Sequence, residues 1–136
     1  MSRPRILVID DSSTIRLQVR RVLEKAGYEV RLATEGSEGI LLAREWCPQL
    51  IILDIRMPGL DGYDVCHELK RAGSPSGEVP IVFLTGLASN ALSLLGQEMG
   101  AYLQKPVRPD ELLQTVDRLA GRAATPAGAR LAPRRQ

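Results

Sequence analysis

The amino-acid sequence predicts an α/β protein built on one parallel sheet with helices on both faces. Short apolar runs alternate five times with stretches of helical periodicity along the 136 residues. The connections are mostly short, and several are marked by Gly or Pro. The length suffices for one domain of ordinary size and not for two, so we expect a single core.

The first strand and helix are predicted over the first quarter of the chain. Residues 6–9 form an apolar run typical of a buried strand. Asp11 or Ser12 is placed to cap the following helix, and Gly27 to end it. The apolar positions of this helix recur at helical spacing: Ile15, Val19, Val22, Leu23 and Ala26.

Two further units follow. Residues 28–33 alternate apolar and charged side chains, as in a strand near a sheet edge. The second helix is predicted over Gly36–Trp46. The apolar run 50–53 predicts the central strand, and a third helix is expected over residues 62–71.

The last two units are predicted beyond a Gly-, Ser- and Pro-containing loop. Residues 79–84 read as the fourth strand and 88–97 as a helix that is apolar on more than one side. A short fifth strand over 101–103 precedes a closing helix over 109–120.

Polar residues stand where the predicted strands end: Asp10 with Asp11, then Asp54, Thr85 and Lys105. The carboxyl ends of parallel strands share one edge of the sheet, so these side chains should meet there. Oxygens of Asp11 and Asp54 suit a hard cation such as Mg²⁺, with Asp10 placed to hold one of its waters, although capping of the helix competes for Asp10 and Asp11. Lys105 supplies a positive charge for phosphate, and the Thr85 hydroxyl can donate to a phosphoryl oxygen.

At this point the sequence resembles the receiver domain of bacterial two-component response regulators, over residues 5–120. Four motifs carry the resemblance, in the family's order: Val8-Ile9-Asp10-Asp11-Ser12, Leu53-Asp54-Ile55-Arg56-Met57-Pro58-Gly59-Leu60-Asp61-Gly62, Leu84-Thr85-Gly86 and Lys105-Pro106. The resemblance implies a flavodoxin-like doubly wound sheet of five parallel strands in the order 2-1-3-4-5, with five helices.

The resemblance also implies a chemistry. Asp54 would accept a phosphoryl group from a histidine kinase or a phosphotransfer protein. Asp10, Asp11, Asp54 and the backbone carbonyl of Arg56 would position Mg²⁺. Lys105 would pair with the Asp54 carboxylate and then with the phosphoryl group.

A switch is implied as well. Thr85 would move onto the new phosphoryl oxygens, and Tyr102 would change its burial in response, although ordinary packing of Tyr102 stays open. The Lys105–Pro106 peptide is expected to be cis, since X–Pro bonds tolerate that isomer. The interval from Thr85 to Lys105 is about two residues shorter than the family usually shows, and the shortening falls in the predicted helix 88–97 or its loop to the fifth strand.

The expected output is protein contact. A downstream protein, or a second copy of the chain, would bind the face formed by predicted helix 88–97 and strand 101–103, because that helix has more apolar residues than one core-facing stripe needs. Tighter burial of the same residues is the alternative. Nothing after Gly121 is long enough for a DNA-binding domain, so the chain itself is not expected to bind DNA; it is either a stand-alone regulator or a receiver excised from a larger protein.

Two other function classes fit the residues less well. A Mg²⁺-dependent phosphatase or phosphotransferase acting on an external substrate would need a second carboxylate two residues after Asp54, where Arg56 stands. In a flavin or nucleotide binder, Asp10 and Asp11 would repel the phosphate without a metal. We therefore expect no enzyme activity on external substrates.

The remaining expectations concern domain bounds, compartment and thiols. Residues 1–121 are expected to form the receiver domain and 122–136 a disordered basic tail or linker, since that segment holds four arginines and no acid. No apolar run reaches membrane-spanning length, which favours a cytoplasmic protein. Cys47 and Cys66 are expected as free, largely buried thiols rather than a disulfide, and His67 as a surface helix residue.

Overall fold

The computed structural model describes residues 3–71, 79–86 and 101–121. Five parallel strands form one sheet in the order β2-β1-β3-β4-β5, which confirms the predicted topology. The strands are β1 (Arg5–Ile9), β2 (Glu29–Ala33), β3 (Leu50–Asp54), β4 (Ile81–Thr85) and β5 (Ala101–Gln104).

Four α-helices lie in the described residues: α1 (Ser13–Lys25), α2 (Gly36–Trp46), α3 (Gly62–Leu69) and α4 (Pro109–Val116). A π-helical turn, Asp117–Gly121, continues α4. The predicted helix 88–97 and the basic tail 122–136 lie outside the described residues. Within the described ranges, no helix combines the length and the apolarity that crossing a membrane requires.

The core consists of two apolar layers, one on each face of the sheet. Ile6 and Val8 of β1 belong to the layer that contains the buried residues of α1 and α4. Leu7 and Ile9 belong to the opposite layer, with the buried residues of α2 and α3. Successive strand residues face opposite sides of a sheet, so a central strand covered on both faces must be apolar throughout. This is why the runs 6–9 and 50–53 are continuous rather than alternating.

The bounds of three elements differ from the sequence expectation. The fourth strand begins at Ile81 rather than at 79, because Pro80 has no N–H for the ladder, although its carbonyl accepts from Ile51 N at 3.1 Å. The third helix ends at Leu69, two residues early. The last helix leaves α geometry after Val116, where the buried Tyr28 hydroxyl donates to the Asp117 carboxylate.

Three local expectations are resolved. Ser12 rather than Asp11 caps α1, and its hydroxyl accepts from Ile15 N at 3.3 Å. Ala26, counted among the apolar positions of the predicted helix, is the exposed C-cap residue of α1. The expectation of two buried thiols is wrong for Cys47, which is exposed and ends α2 in a left-handed conformation with φ 54°. Cys66 is buried, and both thiols are free.

Candidate functional site

Three carboxylates meet at the carboxyl edge of the sheet. One ligand oxygen each from Asp10, Asp11 and Asp54 lies within 4.8 Å of the others. Asp10 is 0% and Asp54 3% exposed, whereas Asp11 faces solvent. Buried carboxylates cost free energy unless cations or hydrogen bonds compensate them, so the surroundings of this cluster decide what it can do.

Asp54 is held by the backbone that follows it. It is the last residue of β3, and Ile55 N still donates to Leu84 O of β4 at 3.1 Å. Arg56 N then donates to Asp54 Oδ1 at 3.3 Å. The chain returns at Gly62, whose N–H donates to Ile55 O at 2.7 Å and where a Cβ would lie 2.6 Å from Asp54 O. A glycine is therefore required for α3 to begin this close to the Asp54 backbone.

Asp10 follows β1, and hydrogen bonds hold both its backbone N–H and its side chain. Its N–H donates to Ala33 O of β2 at 3.2 Å, and its Oδ1 accepts from Ser12 N at 2.9 Å. Its Oδ2 is buried and has no hydrogen-bond partner in the described part of the chain. Ser12 takes the capping role, so the neighbouring Asp11 carboxylate is left for the cluster.

Lys105 supplies the opposite charge. Its backbone N–H donates to Thr85 O at 2.7 Å, which places the residue directly after β5. Its Nζ lies 3.3 Å from Asp10 Oδ2 and 3.2 Å from Asp54 Oδ1. At 3.3 Å the contact to Asp10 is an ion pair without hydrogen-bond geometry. The Lys105–Pro106 peptide bond is cis, the isomer expected from the sequence.

The protonation of the site follows from this arrangement. Burial, and then the charge of Asp10, raise the pKa of Asp54 from 3.8 to about 6, against the opposing attraction of Lys105. Burial alone lowers the pKa of Lys105, but Asp10 and Asp54 outweigh it and the net pKa is raised. Three carboxylates facing one ammonium leave a surplus of negative charge.

The cluster fits a divalent metal ion. It offers only oxygen donors, one of them buried and without a hydrogen bond, and an exposed carboxylate at its rim. Hard cations such as Mg²⁺ prefer such donors and retain several waters, which the solvent side at Asp11 admits. The Arg56 side chain is exposed. The backbone N–H of Arg56 donates to Asp54 Oδ1, and its backbone carbonyl as a metal ligand stays a prediction.

Thr85 and Tyr102 lie on the neighbouring strands β4 and β5. Thr85 is the buried last residue of β4, opposite Gln104 of β5. Tyr102 is half-buried, and its ring stacks on Phe83 with centroids 4.9 Å apart. The Tyr102 hydroxyl is buried without a hydrogen-bond partner among residues 3–71, 79–86 and 101–121, and burial raises the pKa of Tyr102.

The roles of two residues at the site were not identified from the sequence. Gly62 supports the Asp54 backbone, and its position in Asp61-Gly62 at a helix start was the available signal. Arg16 donates through a guanidinium N–H to the Asp10 carbonyl oxygen at 2.7 Å. No sequence signal indicated that contact, because the partner is a backbone atom.

The strand order is that of the flavodoxin-like class of α/β proteins. The carboxylate cluster lies where this class binds its ligands, at the carboxyl edge of the sheet beside the reversal of strand order. The response regulator receiver domain family matches residues 6–117, and the chain belongs to this family.

Named relatives and solved structures agree with this assignment. The probable transcriptional regulator ycf27 of Pyropia yezoensis is 40% identical over 131 residues, which cover 93% of this chain and 52% of ycf27. Protein PilH of Pseudomonas aeruginosa is 37% identical over 83% of this chain and 94% of PilH. The chemotaxis response regulator CheY4 of Vibrio cholerae superposes with a TM-score of 0.77 at 33% identity, over 87% of this chain and 99% of that structure. The chain thus spans about half the length of ycf27 and nearly all of PilH and CheY4.

Proposed function

We propose that this receiver domain is a phosphorylation-dependent signalling module in which Asp54 is the phosphoacceptor. One observation carries the proposal: the buried Asp54 carboxylate lies 3.2 Å from the Lys105 ammonium and within one cluster with Asp10 and Asp11. Phosphoryl transfer depends mainly on positioning and on neutralisation of charge, and this site supplies both.

In the proposed reaction an Asp54 carboxylate oxygen forms a bond to phosphorus. The bond from phosphorus to the imidazole nitrogen of a histidine kinase or phosphotransfer protein breaks, and its electron pair stays on that nitrogen. Lys105, already beside Asp54 Oδ1, pairs with a phosphoryl oxygen of the product. Mg²⁺ held by Asp10, Asp11, Asp54 and the Arg56 carbonyl would neutralise charge on the transferred group.

The proposed readout is a shift between two surface conformations. The phosphoryl group carries roughly −1.5 to −2 charge and strong acceptor oxygens in place of the single charge of the carboxylate, which would draw the Thr85 hydroxyl towards the site. The neighbouring Tyr102 would then pack more deeply, and its half-buried ring, which stacks on Phe83, supports this role.

The proposed partners are proteins: a histidine kinase or phosphotransfer protein upstream, and a downstream protein or a second copy of the chain. The face predicted for the latter includes segment 88–97, which lies outside the described residues, together with β5. Direct DNA binding is not proposed for this chain. A longer parent protein, as the length of ycf27 suggests, would carry any such activity in another part. We propose a cytoplasmic location, because kinase and receiver must share a compartment.

The test is intact mass spectrometry after incubation with MgCl₂ and acetyl phosphate, a small phosphodonor. The wild-type protein should gain one labile phosphoryl group, and Asp54→Asn should gain none. Asp110→Asn is the matched control, because Asp110 is an exposed carboxylate in the first turn of α4 and outside the cluster. Absence of an adduct on the wild type, with acetyl phosphate and with a cognate kinase, would contradict the proposal.

A further inference from the structure

Arg16 connects helix α1 to the loop that carries two of the clustered carboxylates. It lies in the first turn of α1, is partly buried, and donates to the Asp10 carbonyl oxygen at 2.7 Å. The distance is typical of a charge-assisted hydrogen bond. Within the described part of the chain, the sheet holds Asp10 through its N–H, which donates to Ala33 O, and Arg16 holds the carbonyl end of the same residue.

The carbonyl that Arg16 contacts belongs to the peptide unit joining Asp10 to Asp11. A peptide unit is planar and contains both flanking Cα atoms, so fixing its oxygen restricts the rotation of the whole plane. That rotation sets the directions in which the two carboxylates leave the backbone. Ser12 N, on Asp10 Oδ1 at 2.9 Å, fixes the Asp10 side chain itself.

We propose that Arg16 is a positioning residue for the metal site: it orients the Asp10–Asp11 peptide so that both carboxylates can bind one cation. The inference rests on the proposed function, since it presumes that the cluster with Asp54 binds Mg²⁺. Arg16 touches neither the cation position nor the phosphoryl group in this assignment and acts through the backbone.

A positioning role and a simple charge effect of Arg16 predict opposite changes in Mg²⁺ affinity when Arg16 is replaced. The Arg16 guanidinium adds a positive charge near the carboxylates, so its charge alone weakens Mg²⁺ binding. Removing only that effect would tighten binding. Removing the positioning contact weakens binding, and loss of residues that orient metal ligands typically costs about 10- to 100-fold in metal affinity.

The experiment is a titration of the uniformly ¹⁵N-labelled chain with MgCl₂, followed by NMR of the Ser12 and Ile55 amides. The variants are Arg16→Met, Arg16→Lys and, as a matched control, Arg21→Met, which removes an exposed arginine from the same helix. Arg16→Met should raise the Kd for Mg²⁺ about tenfold or more. Arg16→Lys should fall between it and the wild type, and Arg21→Met should leave the Kd within about twofold, because an exposed charge is largely screened.

A second readout needs no metal. In EDTA, Arg16→Met should shift the Ser12 amide resonance and speed its hydrogen exchange, because the loop can then rotate. Shifted resonances in β4 would show that Arg16→Met disturbs the fold beyond the loop, and the Mg²⁺ Kd of Arg16→Lys is then compared with that of the wild type instead. Unchanged or tighter Mg²⁺ binding, with an unperturbed Ser12 amide, would overturn the inference. A wild type without any Mg²⁺-dependent shift would instead contradict the proposed metal site, and faster Ser12 exchange in Arg16→Met would then show only that Arg16 orders the Asp10–Ser12 loop.

Discussion

Asp54→Asn should stabilise the metal-free protein at neutral pH. The wild-type carboxylate is 3% exposed and ionises beside the charge of Asp10. An asparagine of almost the same shape removes this buried charge, while Lys105 keeps its pairing with Asp10 Oδ2 at 3.3 Å. The substitution therefore removes an electrostatic cost without opening a cavity.

The magnitude follows from the pKa of Asp54. Burial and Asp10 raise it from 3.8 to about 6 in the folded state, so the folded protein binds its proton more tightly than the unfolded chain does. Ionisation then lowers the free energy of unfolding as the pH rises from about 3.8 to about 6. At about 1.4 kcal/mol per pKa unit, the loss reaches about 3 kcal/mol above pH 6.

The assay is urea denaturation of wild type, Asp54→Asn and the control Asp110→Asn in EDTA, at a series of pH values from 4 to 8. The stability gained by Asp54→Asn should be near zero at the acid end, grow up to about pH 6 and then stay constant. Excess MgCl₂ should reduce the gain, because the ion stabilises the folded wild type by mass action.

Two outcomes would refute this reasoning. An Asp54→Asn variant no more stable than wild type in EDTA at pH 7 would mean that ionised Asp54 carries no net cost in the fold. A gain of the same size at pH 4 and pH 8 would mean that the effect does not arise from ionisation of Asp54.

Two further predictions concern the neighbours of Asp54. Lys105→Met leaves Asp10 and Asp54 without their ammonium, so the free energy of unfolding in EDTA at pH 7 should fall by roughly 2–4 kcal/mol, a value reduced for the 25% exposure of the Lys105 side chain. The same variant should bind Mg²⁺ more tightly, because a competing positive charge is gone. Unchanged stability in urea denaturation together with weaker Mg²⁺ binding in calorimetry would contradict this prediction. Gly62→Ala forces a Cβ to within 2.6 Å of Asp54 O and should destabilise the protein by about 1–3 kcal/mol in thermal unfolding. Gly86→Ala is its control, since no described atom lies within 4 Å of a Cβ there, and equal losses in both variants would argue against the close contact.

The parallel sheet and the clustered carboxylates could be predicted from the sequence because both follow from strong local patterns, whereas the strand order was implied by the resemblance to receiver domains. The continuous apolar runs 6–9 and 50–53, separated by stretches of helical periodicity, favour strands of a parallel sheet that helices cover on both faces. Once the sheet is parallel, residues that end its strands must share an edge, which brings Asp10, Asp54 and Lys105 together.

The remaining details depend on tertiary contacts that leave little trace in sequence. The last helix departs from α geometry where Asp117 accepts from Tyr28, a residue 89 positions away in the chain. Cys47 is exposed and ends α2 in a left-handed conformation, and its residue type predicts neither feature. Arg16 contacts a backbone oxygen, which any residue could have provided, so its role could not be read from residue types.

The central claim, that Asp54 is the phosphoacceptor, is tested most directly by locating the phosphoryl group. Borohydride reduces an aspartyl phosphate to homoserine, which peptide mapping by mass spectrometry assigns to one position. After incubation with MgCl₂ and acetyl phosphate, the account predicts homoserine at residue 54 and nowhere else. Homoserine at another aspartate, or its absence from a protein that carries a phosphoryl group, would contradict it.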